Sequence, residues 1–179
     1  MPAPRARLAA VDDLTAVTTD RLVLRRLGEE EWPLWRRLRR ASLEDAPEAF
    51  GSTLAQWTGD GDREERWRGR LRDVALHLVV ERAGEPVGVV AATDPSPGGE
   101  AEVELISLWV APAARGDGVG DAAVEGVLRW AEQEHPGTPV VLSVRAGNGA
   151  ASRLYERHGF VDVGQAPDDR CERRMRRPA

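Results

Sequence analysis

The sequence lacks lysine, is poor in cysteine and contains no long apolar run, and each deficit excludes a kind of protein or site. All 25 basic residues are arginine, so a Walker A phosphate loop, which requires a lysine, is excluded. Cys171 is the single cysteine and cannot form a disulfide within the chain. No apolar run approaches the ~20 residues of a membrane-spanning helix. We therefore expect a cytoplasmic protein that does not contact membranes.

The charge balance and the scattered histidines argue against further partners. A net charge of −5 gives no general attraction to nucleic acid, so we expect no nucleic-acid partner. The arginines cluster locally at Arg36, Arg37, Arg39 and Arg40, and we expect most of these on a solvated helix face. The three histidines are far apart in the sequence and imply no metal site.

The chain length of 179 residues suits one domain that is large enough to bury a core. The first 13 residues contain arginines and only a brief apolar patch, which Asp12 and Asp13 interrupt. That pattern does not predict a secretory signal. We expect residues 1–20 to form a flexible extension and residues 21–179 to form the domain.

The spacing of apolar residues predicts an α+β fold. Alternating patterns and short apolar runs predict strands at 21–25, 75–81, 86–92, 102–110, 140–144, 160–163 and 170–177. Four-residue periodicity predicts helices at 29–43, 64–73, 119–134 and 150–158, with a short helix at 52–57. The last strand contains only Cys171 and Met175 as apolar residues, so we expect it at an edge of the sheet.

A glycine-rich turn at 115–120 joins a predicted strand to a predicted helix. Pro112 ends the strand, because proline cannot donate a ladder hydrogen bond. Gly116, Gly118 and Gly120 leave backbone N–H groups uncovered at the start of the helix. The positive end of a helix dipole favours an anion at that point. The turn therefore predicts a phosphate-binding site that a pyrophosphate would fit.

The glycine spacing argues against a dinucleotide-binding turn and indicates another family. The dinucleotide fingerprint needs G-x-G-x-x-G, whereas this turn has G-x-G-x-G with Asp121 in place of the third glycine. The order Arg-x-x-Gly-x-Gly, preceded by Val-x-Pro, resembles the acyl-CoA-binding signature of the GNAT superfamily of N-acetyltransferases. A second segment, 148–160, resembles the family's pattern Asn-x-x-Ala-x-x-Leu-Tyr-x-x-x-Gly-Phe. Together the two motifs extend the resemblance over roughly residues 102 to 164.

This resemblance implies a fold, an activity and a set of coenzyme-binding residues. The fold is a mixed central sheet of about six to seven strands that is splayed in the middle and flanked by about four to five helices. The activity is acetyl transfer from acetyl-CoA to an amine, with acetyl-CoA as co-substrate and no metal. The residues expected to bind the coenzyme, largely through their backbones, are Leu108, Val110, Arg115, Gly116, Gly118, Val119, Gly120 and Asn148.

Two catalytic residues follow from the same resemblance. An amine is mostly protonated at neutral pH, so a base must remove a proton before attack on the thioester. Glu104 matches the family's glutamate base, and Glu102 takes its place if a bulge shifts the register of the strand. Tyr155, the only tyrosine, matches the family's general acid, whose hydroxyl faces the thioester sulfur.

The acceptor is the least determined part of the prediction. In this family it lies between the connection after the first helix and the loop before the last strand, and both are acidic here: Glu44, Asp45, Glu48, Asp168 and Asp169. A cationic amine acceptor and an ordinary solvated surface explain these acids equally well.

Two local resemblances indicate different acceptors, and two alternative functions are also compatible with the sequence. Residues 19–25 resemble the start of acetyltransferases that modify ribosomal-protein N-termini, whereas residues 45–52 resemble small-molecule or unassigned members. The acceptor is therefore a small molecule or a protein N-terminus. The alternatives to an active enzyme are a catalytically silent acyl-CoA-binding module and an unrelated nucleotide-binding α/β protein. Either a monomer or a homodimer is compatible with the sequence.

Overall fold

A computed structural model describes residues 22–96, 101–167 and 171–179. Within these ranges the chain forms one open, mixed sheet of seven strands with four α-helices packed against it. The predicted α+β architecture is therefore confirmed. The predicted extension at residues 1–20 lies outside the described residues, and so do Asp168 and Asp169.

The seven strands lie in the order β1-β2-β3-β4-β5-β7-β6. The pairs from β1 to β4 are antiparallel, β4 and β5 are parallel, and the remaining two pairs are antiparallel. The strands are β1 Leu22–Arg26, β2 Leu76–Arg82, β3 Glu85–Thr93, β4 Val103–Val110, β5 Val140–Arg145, β6 Val161–Gln165 and β7 Glu172–Arg177.

The prediction that the last strand is an edge strand was wrong, because β7 lies between β5 and β6. Its arginines have carboxylate partners on neighbouring elements: Arg173 donates to Asp162 of β6 at 2.8 Å, and Arg174 pairs with Glu102 just before β4. Met175 is 2% exposed and fills the core. Paired charges thus allow a polar strand inside the sheet, and β6 forms the edge instead.

Four helices cover the two faces of the sheet. The helices are α1 Trp32–Asp45, α2 Glu64–Asp73, α3 Val119–Glu134 and α4 Gly149–Arg157. One apolar core joins α3 and α4 to the sheet, and a second joins α1 and α2 to its other face through Trp35, Trp67 and Trp109. The predicted short helix at 52–57 is a 3₁₀ turn, Leu54–Trp57. In the described parts of the chain, no helix has the length and apolar character needed to cross a membrane.

A β-bulge in β4 changes which side chains face each core. Val89 pairs with Trp109 and Ala91 pairs with Ile106, so two residues of β4 lie opposite the single residue between them. Ser107 in this bulge adopts φ +57°, a left-handed conformation that costs an L-residue about 1–2 kcal/mol. Val103 and Leu105 face the α3 core before the bulge, and Leu108 and Val110 face it afterwards.

The sheet separates between β4 and β5. Within the described residues the pairing joins only Val103 to Val140 and Glu104 to Val141. Beyond Glu104 the two strands diverge, and the predicted splay in the middle of the sheet is confirmed. This divergence opens a cleft that reaches from one face of the sheet to the other.

Candidate active site

Two adjoining cavities occupy the cleft between β4 and β5. The glycine cavity, about 440 Å³, is lined by Gly116, Gly118 and Gly120 of the turn before α3. The arginine cavity, about 480 Å³, is lined by Arg39, Arg70 and Arg174. The residues that line both cavities mark where they meet: Ala49, Phe50, Leu108, Ser143 and Tyr155.

The turn before α3 has the geometry of an anion site. Gly116 and Gly118 have φ of +88° and +79°, a region that glycine enters without steric cost. Gly118 is the N-cap residue of α3, and its carbonyl accepts a hydrogen bond from the Ala122 N–H at 3.0 Å. The first N–H groups of a helix have no intrahelical acceptor. Arg82 donates to Asp117 at 2.9 Å, which fixes the turn against β2.

Seven of the eight predicted coenzyme-binding residues line the glycine cavity. The exception is Val119, whose side chain is 1% exposed and packs into the α3 core. Val119 was predicted to act through its backbone N–H, which belongs to the first turn of α3. The seven lining residues are Leu108, Val110, Arg115, Gly116, Gly118, Gly120 and Asn148.

Arg115 ties the glycine turn to the end of α1. Its Nε donates to the Val110 carbonyl at 3.1 Å, and its guanidinium also pairs with the carboxylate of Asp45. The same carboxylate accepts a hydrogen bond from the Trp109 indole N–H at 2.9 Å. Asp45, predicted as part of an acidic acceptor loop, is thus engaged in positioning Arg115.

Asp121 fixes α4 to the first turn of α3 beside the glycine cavity. Its carboxylate accepts hydrogen bonds from Arg157 and contacts His158 at 3.0 Å. Burial opposes ionisation of this group, but the hydrogen bonds from Arg157 and His158 outweigh it. The pKa of Asp121 therefore lies below its ordinary value. The carboxylate beside the turn is ionised and paired.

Asn148 begins the helix that bears the predicted general acid. Its side-chain Oδ1 accepts a hydrogen bond from the Ala151 N–H at 3.1 Å. Asparagine is among the preferred residues at this position because its side-chain oxygen satisfies an N–H that has no intrahelical partner. Asn148 thereby sets where α4 starts, and hence where Tyr155 lies in the cleft.

Tyr155 lies where the two cavities meet. Its ring is 6% exposed and packs edge-to-face on Phe160, with ring centroids 5.8 Å apart. Burial raises the pKa of the phenol above its ordinary value, because an apolar environment disfavours the phenolate. The hydroxyl therefore stays protonated at neutral pH.

The structure separates the two candidate bases. The side chain of Glu102 is 10% exposed and pairs with Arg174 and with Arg176, whose Nε lies 3.4 Å from its Oε1. Glu104 lines the arginine cavity and, together with Glu102, a neighbouring cavity of about 420 Å³. The bulge follows Glu104 and leaves both glutamates on the same face of the strand. The register shift of β4 lies beyond both glutamates.

The arginine cavity contains residues that the sequence did not indicate. Arg39 was expected on a solvated face of α1, but it is 7% exposed. The signal was its spacing: Arg39 follows the buried Trp35 by one helical turn, and Ser42 and Leu43 continue the same buried stripe. Neither Glu44 nor Glu48, the other described acids of the predicted acceptor loop, is among the residues lining this cavity.

Comparisons with known proteins agree with the fold. A model of the family described as Acetyltransferase (GNAT) matches residues 32–160. N-acetyltransferase 8F1 of Rattus norvegicus is 37% identical over 90 residues, which cover 49% of this chain and 40% of that protein. The match thus spans less than half the length of this curated relative.

Two solved structures extend the similarity over most of the chain. Ribosomal-protein-alanine N-acetyltransferase from Brucella melitensis is 25% identical, with a TM-score of 0.64, and the alignment covers 88% of this chain and 99% of that one. The PaiA N-acetyltransferase from Thermoplasma acidophilum, solved in complex with coenzyme A, shares the fold at 14% identity. Its TM-score is 0.69, over 88% of this chain and 99% of that one. The chain therefore belongs to the GNAT acetyltransferase family.

Proposed function

We propose that this protein transfers an acetyl group from acetyl-CoA to the amine of an acceptor by direct attack. In this proposal the coenzyme occupies the glycine cavity and the acceptor occupies the arginine cavity. The observation that supports it is the meeting of the two cavities at Leu108, Ser143 and Tyr155. A thioester at that junction is accessible to an amine from the opposite face of the sheet.

The glycine turn binds the pyrophosphate in this proposal. The N–H groups of the turn and of the first residues of α3 donate to the phosphate oxygens, and the helix dipole favours their charge. The backbones of Leu108 and Val110 pair with the pantetheine amides like an added strand. Arg115 then releases the Val110 carbonyl and turns toward the phosphates. Coenzyme A bound to a relative of the same fold supports this choice of co-substrate.

Glu104 removes the proton from the attacking ammonium group, directly or through a water molecule. Alkylammonium groups lose their proton near pH ~10, so catalysis at neutral pH needs a base. Glu102 is the weaker candidate because Glu104, and not Glu102, lines the arginine cavity that receives the acceptor. The attack produces a tetrahedral intermediate with a negative oxygen. The bulge at 107–108 interrupts the ladder, and we assign a backbone N–H there as donor to this oxygen.

Tyr155 assists the departure of the coenzyme. When the intermediate collapses, the C–S bond breaks and the sulfur leaves as a thiolate. Because the Tyr155 hydroxyl stays protonated, it donates a hydrogen bond to the sulfur in the transition state. The ammonium nitrogen loses two protons in becoming an amide: Glu104 takes the first before attack and passes it to solvent, and the second, lost from the nitrogen of the intermediate, balances the proton that the thiolate takes up as coenzyme A leaves as a thiol.

The test combines coenzyme binding with turnover. We expect acetyl-CoA to raise the melting temperature of the protein, and NAD and ATP to leave it unchanged. We further expect thiol release from acetyl-CoA in the presence of an amine panel that includes amino acids, polyamines and peptide N-termini. Stabilisation by acetyl-CoA without thiol release for any amine would identify a silent acyl-CoA-binding module and contradict the proposed catalysis.

A further inference from the structure

A buried guanidinium in the arginine cavity lacks a full set of partners. Arg39 is 7% exposed, its Nη2 donates to Ser52 Oγ at 2.7 Å, and its guanidinium lies 4.5 Å from the Phe50 ring centroid. Its Nη1 is buried, and within the described part of the chain it has no hydrogen-bond partner. Five donors in a planar fork are available on each guanidinium. At least one donor group of Arg39 therefore has no acceptor among the described residues.

A second arginine increases the positive charge at the same place. Arg70 of α2 is half-buried and lines the same cavity. Burial and the nearby charge of Arg70 lower the pKa of Arg39 to about 10, and burial also lowers the pKa of Arg70. Both residues remain cationic at neutral pH. Among residues 22–96, 101–167 and 171–179, no carboxylate forms a salt bridge with either guanidinium.

Two other charged residues of the cavity wall, Arg174 and Glu172, have partners of opposite charge. Arg174 pairs with Glu102, and Glu172 lies 3.6 Å from the Nε of Arg145. Arg39 and Arg70 are therefore the cations whose charge the described residues leave without an anion. A buried charge without a counter-ion is costly, and a planar guanidinium matches the two oxygens of a carboxylate.

We propose that the acceptor is a small amino carboxylate, in the manner of an α-amino acid, whose carboxylate binds Arg39 and Arg70 while its amine faces Glu104. This inference rests on the proposed function and specifies its substrate class. Phe50, Ile106 and Pro167 add apolar wall to the same cavity, which favours an acceptor with an apolar side chain.

The first experiment compares matched acceptors on the wild-type protein. Phenylalanine, phenylalaninamide, phenethylamine and the aminophosphonate analogue of phenylalanine differ only in the group beside the amine. From the strength of hydrogen bonds to charged groups, we expect kcat/KM for thiol release to be about 10- to 100-fold higher with the carboxylate than with the amide. An equal or higher rate with phenethylamine overturns the inference and leaves the proposed function standing. A preference for the phosphonate overturns the choice of carboxylate.

The second experiment changes the arginines. Arg39→Met and Arg70→Met should each remove most of the preference for phenylalanine over its amide. Arg37→Met is the matched control, because Arg37 lies on the same helix and is exposed; it should keep the full preference. Retention of the preference in both Arg39→Met and Arg70→Met contradicts the assignment.

A binding measurement separates this inference from the proposed catalysis. With coenzyme A present, phenylalanine should raise the melting temperature of the wild type and of Arg37→Met but not of Arg39→Met. This readout does not depend on turnover, so it tests carboxylate binding even if no thiol is released. A purely structural Arg39 predicts a lower melting temperature for free Arg39→Met. We expect it to be unchanged or raised, because an uncompensated buried charge is removed.

Discussion

The two ends of the cleft are built differently. The glycine cavity is lined mainly by two short stretches of sequence, 108–121 and 143–157; the first includes the start of α3 and the second includes all of α4. The arginine cavity brings together α1, the connection at 49–52, α2, β4, β5 and β7. The first site is set by local backbone geometry, and the second by tertiary packing of distant charges.

This difference separates coenzyme binding, which is common to acyl-CoA-dependent transferases, from the choice of acceptor, which is specific to each protein. A glycine turn at a helix N-terminus offers N–H groups to any acyl-CoA, whatever the acyl acceptor. The arginine cavity supplies side chains, and side chains decide which acceptor is bound. Substitutions at the two ends should therefore affect different kinetic constants, which the following variants test.

The largest effect is expected for Glu104→Gln, at the acceptor end. Loss of a general base typically lowers the rate by about 10²- to 10⁴-fold, and we expect kcat to fall by that order while stabilisation by acetyl-CoA persists. Glu102→Gln is the matched control on the same strand face. It should lower thermal stability, since Arg174 and Arg176 lose their partner, and leave kcat within a few-fold. A large rate loss in Glu102→Gln alone would reassign the base.

Tyr155→Phe should have the next largest effect, at the junction of the two cavities. The phenylalanine ring retains the contact with Phe160, whereas the hydroxyl that stabilises the thiolate is absent. We expect kcat to fall by about 10²-fold with little change in the melting temperature or in the dissociation constant for acetyl-CoA. Initial rates across a pH series check this, and full turnover at all pH values excludes the general-acid role.

The sequence predicted the glycine end better than the acceptor end, for physical reasons. The motifs around Gly118 and Asn148 act through local backbone geometry, which a short stretch of sequence determines. The bulge at Ser107 was not predicted, because a left-handed serine has no local signature. The burial of Arg39 was missed because a charged side chain obscured an otherwise apolar stripe.

Pairings between distant charges explain the remaining differences. The placement of β7 inside the sheet depends on two ion pairs, between Arg173 and Asp162 and between Arg174 and Glu102. From composition alone this strand is polar, which predicts an edge strand. Cavity lining distinguishes Glu102 from Glu104, which are equivalent by strand alternation, because only Glu104 lines the arginine cavity. Tertiary contacts therefore carry information that periodicity does not.

Gly118→Ala should weaken coenzyme binding without affecting the acceptor end. Gly118 has φ +79°, which costs a residue with a Cβ about 1–2 kcal/mol, so the turn loses its preferred geometry. We expect affinity for acetyl-CoA to fall about tenfold and relative rates among acceptors to stay constant. Isothermal titration and the acceptor panel measure the two quantities. A changed acceptor preference would show that the two ends are not independent.

The smallest effect is expected for Asp121→Asn, which removes the ionic contact between α3 and α4. Its folded-state pKa is lowered, so its stabilisation is present above the unfolded value of ~3.9 and is lost as pH falls through the folded value. Because the side chain is 35% exposed, we expect a loss below about 1 kcal/mol. Glu125→Gln, an exposed change on the same helix, is the control. Unfolding midpoints of wild type and Asp121→Asn should differ at pH 7 and converge below pH ~4; a difference that persists in acid would mean that packing, not charge, fixes α4.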